Sequence, residues 1–168
     1  MNFLKNLFRS TPKTTARGAT IEFGFRREGI YYKLHDKGIY IWSSIYNEIY
    51  IEYITKWDNG KPLTPEEKEQ VFADILPYMS REFDTKPAIV INTDKEGEFW
   101  TAVTRKHQHE IRAITYTSEE ENEQFLYNMY LGMIKSGLIV AGTRIRSKAD
   151  LDKHWNTIKT NSERWKNL

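Results

Sequence analysis

Not one of the 168 residues is cysteine. That absence excludes disulfide frameworks, thiolate zinc centres, iron–sulfur clusters and cysteine nucleophiles. No apolar run approaches the roughly 20 residues that a membrane-crossing helix requires. Glycine-rich phosphate loops are missing, since neither Gly-x-Gly-x-x-Gly nor a Walker sequence occurs. Gly-x-Ser-x-Gly is missing too, so the chain lacks the common serine-nucleophile signature. Net charge is almost nil at +2, which is small for a nucleic-acid binder. These gaps favour a binding protein over an enzyme, and no cofactor is implied.

Aromatic side chains are plentiful: 8 Phe, 10 Tyr and 5 Trp make up 14% of the chain. Such a load supplies enough surface to fill a core and argues against disorder. Ten of these residues fall within 23–57. Charge is also uneven. Residues 1–37 carry eight basic and three acidic groups, residues 48–100 six basic and twelve acidic, and residues 135–168 eight basic and three acidic. The near-neutral total therefore hides a basic–acidic–basic order.

Hydrophobic periodicity predicts an α+β fold: an antiparallel sheet, led by a four-strand meander over 19–56, packed against about three helices. Ile21, Phe23 and Phe25 alternate with polar residues, as do Ile30, Tyr32 and Leu34. A run from Ile39 to Trp42 and a β-prone stretch from Glu48 to Thr55 complete the meander. Turns are expected at His35-Asp36-Lys37-Gly38 and Trp57-Asp58-Asn59-Gly60. Thr64-Pro65-Glu66-Glu67 reads as a helix start, with Thr64 as cap, Pro65 at the first helical position and Glu67 closing a capping box. Pro77 should kink or limit that helix. Ala88 to Ile91, Glu98 to Arg105 and His109 to Thr117 are expected as strands, and Leu138 to Thr143 as a short strand or loop. Ser118 opens a second helix that Gly137 ends, and Ser147 opens a third, with Leu151, Trp155, Ile158 and Trp165 on one stripe.

Residues 1–18 are set apart as an N-terminal segment and linker, leaving 19–168 as a single domain. Phe3, Leu4, Leu7 and Phe8 lie at helical spacing with Lys5 and Arg9 between them. That pattern raises a membrane-peripheral adaptor as a further alternative, although two turns bury too little to anchor alone. With no secretory signal visible, the expected compartment is the cytoplasm.

Alternation along the strands divides the aromatics. Phe23, Phe25, Tyr32 and Tyr53 are assigned to the packed face, and Tyr31, Tyr40, Trp42 and Tyr50 to the other. If that second face is solvated, it is rich in the residue types that anchor interfaces. Trp42, Tyr46, Tyr50 and Trp57 are the expected anchors, with Glu52 and Asp58 as the acids that steer a basic partner. His107-Gln108-His109 would place two imidazoles on one side of a strand, a spacing that suits metal ligation but needs His35, His154, Glu98 or Glu110 brought in through the fold as a further ligand. His107 and His109, with Arg105 or Arg112, also define the alternative reading, a small enzyme or binder acting on nucleic acid or a phosphorylated ligand.

The aromatic meander running into Trp57-Asp58-Asn59-Gly60, followed by Leu63-Thr64-Pro65-Glu66-Glu67, resembles the small immunity proteins of bacterial polymorphic toxin systems over residues 20–92. The resemblance implies a non-enzymatic cytoplasmic protein that binds and blocks a cognate toxin domain. The near-neutral charge departs from the strongly acidic members that neutralise nucleases, although the 48–100 segment supplies an acidic stretch.

Overall fold

The computed structural model describes residues 13–24, 27–140 and 142–166, the last six of these as backbone only. The expected N-terminal amphipathic stretch, Phe25 and the side chain of Trp165 lie outside the described residues. The fold is α+β, in two compact units that meet in sequence between Thr117 and Ser118.

The first unit holds two four-stranded sheets. One is antiparallel and follows chain order: β1 (Lys13–Thr14), β2 (Thr20–Phe23), β3 (Ile30–Leu34) and β4 (Lys37–Ile41). Its register sets Tyr31 opposite Tyr40 and Tyr32 opposite Ile39. The period of two then sends Ile21, Phe23, Ile30, Tyr32, Ile39 and Ile41 to one buried face, each at most 3% exposed. The β3–β4 turn is tighter than its composition suggests. Leu34 pairs with Lys37, His35 takes the positive φ of 55°, and Gly38 lies within β4.

The second sheet runs β5 (Ser43–Ser44), β6 (Glu48–Tyr50), β7 (Ala88–Asn92) and β8 (Ala113–Thr117), with β6, β7 and β8 parallel. The stretch expected as the fourth meander strand therefore belongs here, and β1 fills the place in the antiparallel sheet. That stretch is also shorter than its β-propensity predicts. After Tyr50 it tightens into a 3-10 turn, Ile51–Tyr53. Ile51 and Ile54 are both 0% exposed. On a strand, residues three apart would face opposite sides, so the turn lets both enter the core.

Helix α1 (Pro65–Phe83) starts where the sequence predicts. Thr64 Oγ1 accepts from the Glu67 N–H at 3.2 Å, and Glu67 Oε2 accepts from the Thr64 N–H at 3.0 Å. The helix passes through Pro77 instead of stopping there. Pro77 is exposed, while Ile75, Leu76, Tyr78 and Met79 around it are buried. Packing on both sides of the break holds the helix together despite the missing donor.

Helix α2 (Gly97–Lys106) corrects the strand expected at Glu98 to Arg105. Thr101, Val103 and Thr104 favour a strand locally, but the burial is helical. Trp100, Val103 and Thr104 are enclosed, and Thr104 Oγ1 donates to the Trp100 carbonyl one turn back. Trp100 stacks edge-on to Phe72 of α1 at 5.8 Å. A 3-10 turn, Gln108–Glu110, precedes β8, so the strand expected from His109 begins only at Ala113.

The second unit consists of α3 (Glu119–Met133), a 3-10 turn (Ile134–Ser136), the short hairpin β9 (Ile139–Val140) and β10 (Thr143–Arg144), and α4 (Lys148–Lys166). Ser118 and Glu121 form a capping box. Gly137, at φ 86°, ends the 3-10 turn that follows α3. Ser147 Oγ accepts from the Asp150 N–H at the start of α4. Leu138, Ile145, Leu151 and Ile158 form this unit's own core, with Trp155 and Tyr130 packed on it. No helix among the described residues is long and apolar enough to cross a membrane.

Candidate functional site

The outer face of the antiparallel sheet carries Tyr31 and Tyr40 as alternation assigned them, with Trp42 just past the end of β4, whereas Tyr50 lies on β6 of the second sheet. Tyr31 and Trp42 are half-buried, and Tyr40 is 43% exposed. Tyr40 meets Trp42 edge-on at 5.9 Å, and Trp42 meets Tyr53 at 6.2 Å. Tyr53 therefore joins this outer row and not the packed face. Tyr50 is tied to the row through the backbone, its N–H donating to the Trp42 carbonyl at 3.0 Å.

The row is fixed in place. The Tyr40 hydroxyl donates to the Glu28 carbonyl at 3.0 Å, and its ring lies across Gly29, where any Cβ would collide with it. Gly29 also holds φ at 79°, so glycine is required there twice over. A Cβ on Gly38 would lie 2.5 Å from the Tyr31 hydroxyl and 2.9 Å from Asp58 Oδ2. The missing side chain thus lets the Tyr31 phenol and the exposed Asp58 carboxylate approach one strand. Asp58 is anchored by its own N–H, which donates to the Gly38 carbonyl at 2.7 Å.

Acids accompany the aromatics. Glu48 Oε2 accepts from Ser44 Oγ at 2.8 Å and from the Tyr50 hydroxyl at 3.4 Å. Burial pushes the Tyr50 phenol above its ordinary pKa, and the Glu48 and Glu52 carboxylates add to the shift. Tyr40 is raised as well, first by burial and then by Glu28. Glu22 sits opposite Tyr31 in the register. Tyr40 and Tyr50 therefore lie in a negative local field that favours their protonated, hydrogen-bond-donating form.

Tyr46 stands apart on the β5–β6 turn. It is 73% exposed beside Ile45 at 49%, and its carbonyl accepts from Arg112 Nη2 at 3.4 Å. Asn47, at φ 60°, shapes this turn, and its side-chain amide donates to the Thr85 carbonyl at 2.8 Å. Ile45 was missed as a candidate because its contribution depends on a three-residue break in pairing, 45–47, that periodicity does not reveal.

Trp57 corrects the expectation that it is an exposed anchor. It is 3% exposed and packs 6.4 Å from Tyr32. Its Nε1 donates to Glu67 Oε2 at 3.2 Å, and Lys37 Nζ lies 5.3 Å from its ring while pairing with Glu67 at 3.1 Å. Trp57 is thus a structural bridge between β4 and the start of α1. The Thr64 backbone donor, helped by Lys37 and Trp57, holds the Glu67 carboxyl below its usual range.

His107 and His109 do not form a strand pair. His107 caps α2, packs edge-on to Phe72 at 5.7 Å and places Nδ1 3.3 Å from Glu110 Oε1. His109 is exposed in the following 3-10 turn. Arg112 is occupied with the Lys86 and Tyr46 carbonyls. No group of three His, Asp or Glu side chains placed to hold a metal occurs among the described residues. Comparison with family models, with curated proteins and with solved structures finds no match for this chain in any of the three.

Proposed function

We propose that this chain is a protein-binding module of the immunity type, acting in the cytoplasm to bind and block a cognate toxin domain. The observation that carries this reading is the outer aromatic row, Tyr31 and Tyr40 on the antiparallel sheet with Trp42 and Tyr53 packed beside them, accompanied by Glu22, Glu48, Glu52 and Asp58. Rigid aromatics supply buried contact area at little entropic cost. The acids around them favour a partner with a basic surface and speed its encounter. Tyr46 and Ile45 offer a second exposed contact on the β5–β6 turn.

Co-expression with the toxin domain encoded beside its gene tests this reading. The wild-type chain is expected to rescue growth, and the double variant Trp42→Ala/Tyr46→Ala is expected to lose rescue while accumulating as folded protein. Absence of such a neighbouring toxin domain, or full rescue by the folded double variant, would refute it.

A further inference from the structure

The second unit contains a concave site of about 300 Å³ lined by Ile134, Lys135, Gly137, Arg144, Ile145 and Arg146. Its charge follows from the local fold. The chain leaves the 3-10 turn through Gly137 at φ 86° and returns along β10, with the Ile145 N–H donating to the Leu138 carbonyl at 2.9 Å. Ile145 is 1% exposed, whereas its neighbours Arg144 and Arg146 are both exposed. Burial of the residue between them thus turns both guanidinium groups outward from one short segment. Lys135 reaches the same hollow from the 3-10 turn. Arg144 Nη2 lies 3.6 Å from the position a Cβ on Gly137 would take, so the guanidinium rests over bare backbone.

Three cations line the hollow and no carboxylate does. Among the described residues none of the three forms a salt bridge. Asp150 is close along the chain, but its Oδ2 accepts from the Arg146 backbone N–H and Asp150 serves the start of α4. Two other cations of this unit do find acids: Lys148 pairs with Asp152 at 3.3 Å and Lys159 with Glu123 at 3.0 Å. Lys153 on α4 is exposed and outside any of these salt bridges too, but it stands apart from the hollow, where three such cations converge. Two guanidinium forks and an ammonium match the charge and the acceptor geometry of a dianionic phosphate. The half-buried Ile134 adds an apolar edge for the group that carries it.

We infer that Lys135, Arg144 and Arg146 form an oxyanion site in the second unit that takes the phosphate of a small phosphate monoester. It is independent of the aromatic surface of the first unit. The shared chemistry is the phosphate monoester, from a soluble metabolite or a lipid headgroup.

The test is a ¹H–¹⁵N correlation titration of the full chain with phenyl phosphate, with inorganic phosphate and with phosphatidic acid vesicles in parallel. The backbone signals of Lys135, Gly137 and Arg144 are expected to shift saturably with phenyl phosphate, and more weakly with inorganic phosphate, which lacks the apolar group. Vesicle binding lost with Arg144→Gln/Arg146→Gln would assign the lipid source, and binding of the soluble esters alone the metabolite source. Arg144→Gln/Arg146→Gln should weaken phenyl phosphate at least tenfold with unchanged circular dichroism, while Lys153→Gln on α4 leaves it unchanged. Absence of saturable shifts at millimolar ligand, or equal weakening by Lys153→Gln, would overturn the site.

Discussion

Single side chains divide sharply into those that hold the first unit together and those that face outward. Trp57 and Tyr46 make the contrast, since both sit in the aromatic-rich segment. Trp57→Ala removes a 3% exposed indole and its bond to Glu67, and is expected to cost about 3–5 kcal/mol in a denaturant titration. Tyr46→Ala, at a residue 73% exposed, should change stability by less than about 0.5 kcal/mol. Glu67 gives a pH signature. Its carboxyl is held below the ordinary value in the folded chain, so the folded state prefers it ionised. The stabilisation is complete above the ordinary Glu value and disappears as pH falls through the depressed folded value. Melting temperature measured across pH 3 to 6 should therefore drop less steeply for Glu67→Gln, which starts lower at neutral pH. The buried Tyr32 phenol, which donates to Asp74 Oδ2 at 2.9 Å, is pushed up by burial and by Asp74 and takes no part in this window.

Among the elements, α1 shows how packing overrides a local penalty. Pro77 removes a helix donor yet the helix continues for six more residues to Phe83. Phe23 meets Tyr78 at 5.2 Å and Phe83 at 5.6 Å, fastening the segment beyond the proline to β2. Pro77→Ala at this exposed position is expected to raise stability by about 1–2 kcal/mol. The restored helix propensity outweighs the unfolded-state entropy that proline removes, and thermal melting measures the gain. The starts of α1, α3 and α4 were readable from composition because capping is local: Thr64 with Glu67, Ser118 with Glu121, and Ser147 with Asp150 all bond within one turn. Strands β2, β3 and β4 were readable because one face is buried and the other is not. The segments that were misread depend on distant partners. Tyr50 to Ile54 bends because two isoleucines must reach one core, and Gly97 to Lys106 coils because Trp100 must reach Phe72. The candidate surface was legible to the same degree. Tyr31, Tyr40 and Trp42 followed from alternation, whereas Trp57 went inward through contacts with Tyr32, Lys37 and Glu67 that spacing along the chain does not encode.

For the whole molecule, charge and aromatic content are each distributed unevenly. Aromatic residues in the first unit serve two faces of one sheet: Phe23 and Tyr32 in the core, Tyr31, Tyr40 and Trp42 outside. The second unit has its own core around Leu138, Ile145, Leu151 and Ile158 and carries the cationic hollow. The basic stretch 135–168 noted in the sequence thus has one definite consequence, the grouping of Lys135, Arg144 and Arg146. The acidic middle has another, the carboxylates beside the aromatic row. The central claim is that this row, together with Tyr46 on the β5–β6 turn, is a binding surface and not merely the back of a sheet. Calorimetric titration of the folded chain with the proposed partner, sought as a toxin domain encoded beside its gene, tests it most directly, comparing wild type with Trp42→Ala and Tyr46→Ala. The expected result is tight binding that either substitution weakens by about 2 kcal/mol, roughly thirtyfold, with the Tyr46→Ala melting temperature unchanged. Absence of binding, or equal affinity in all three proteins, would contradict the claim.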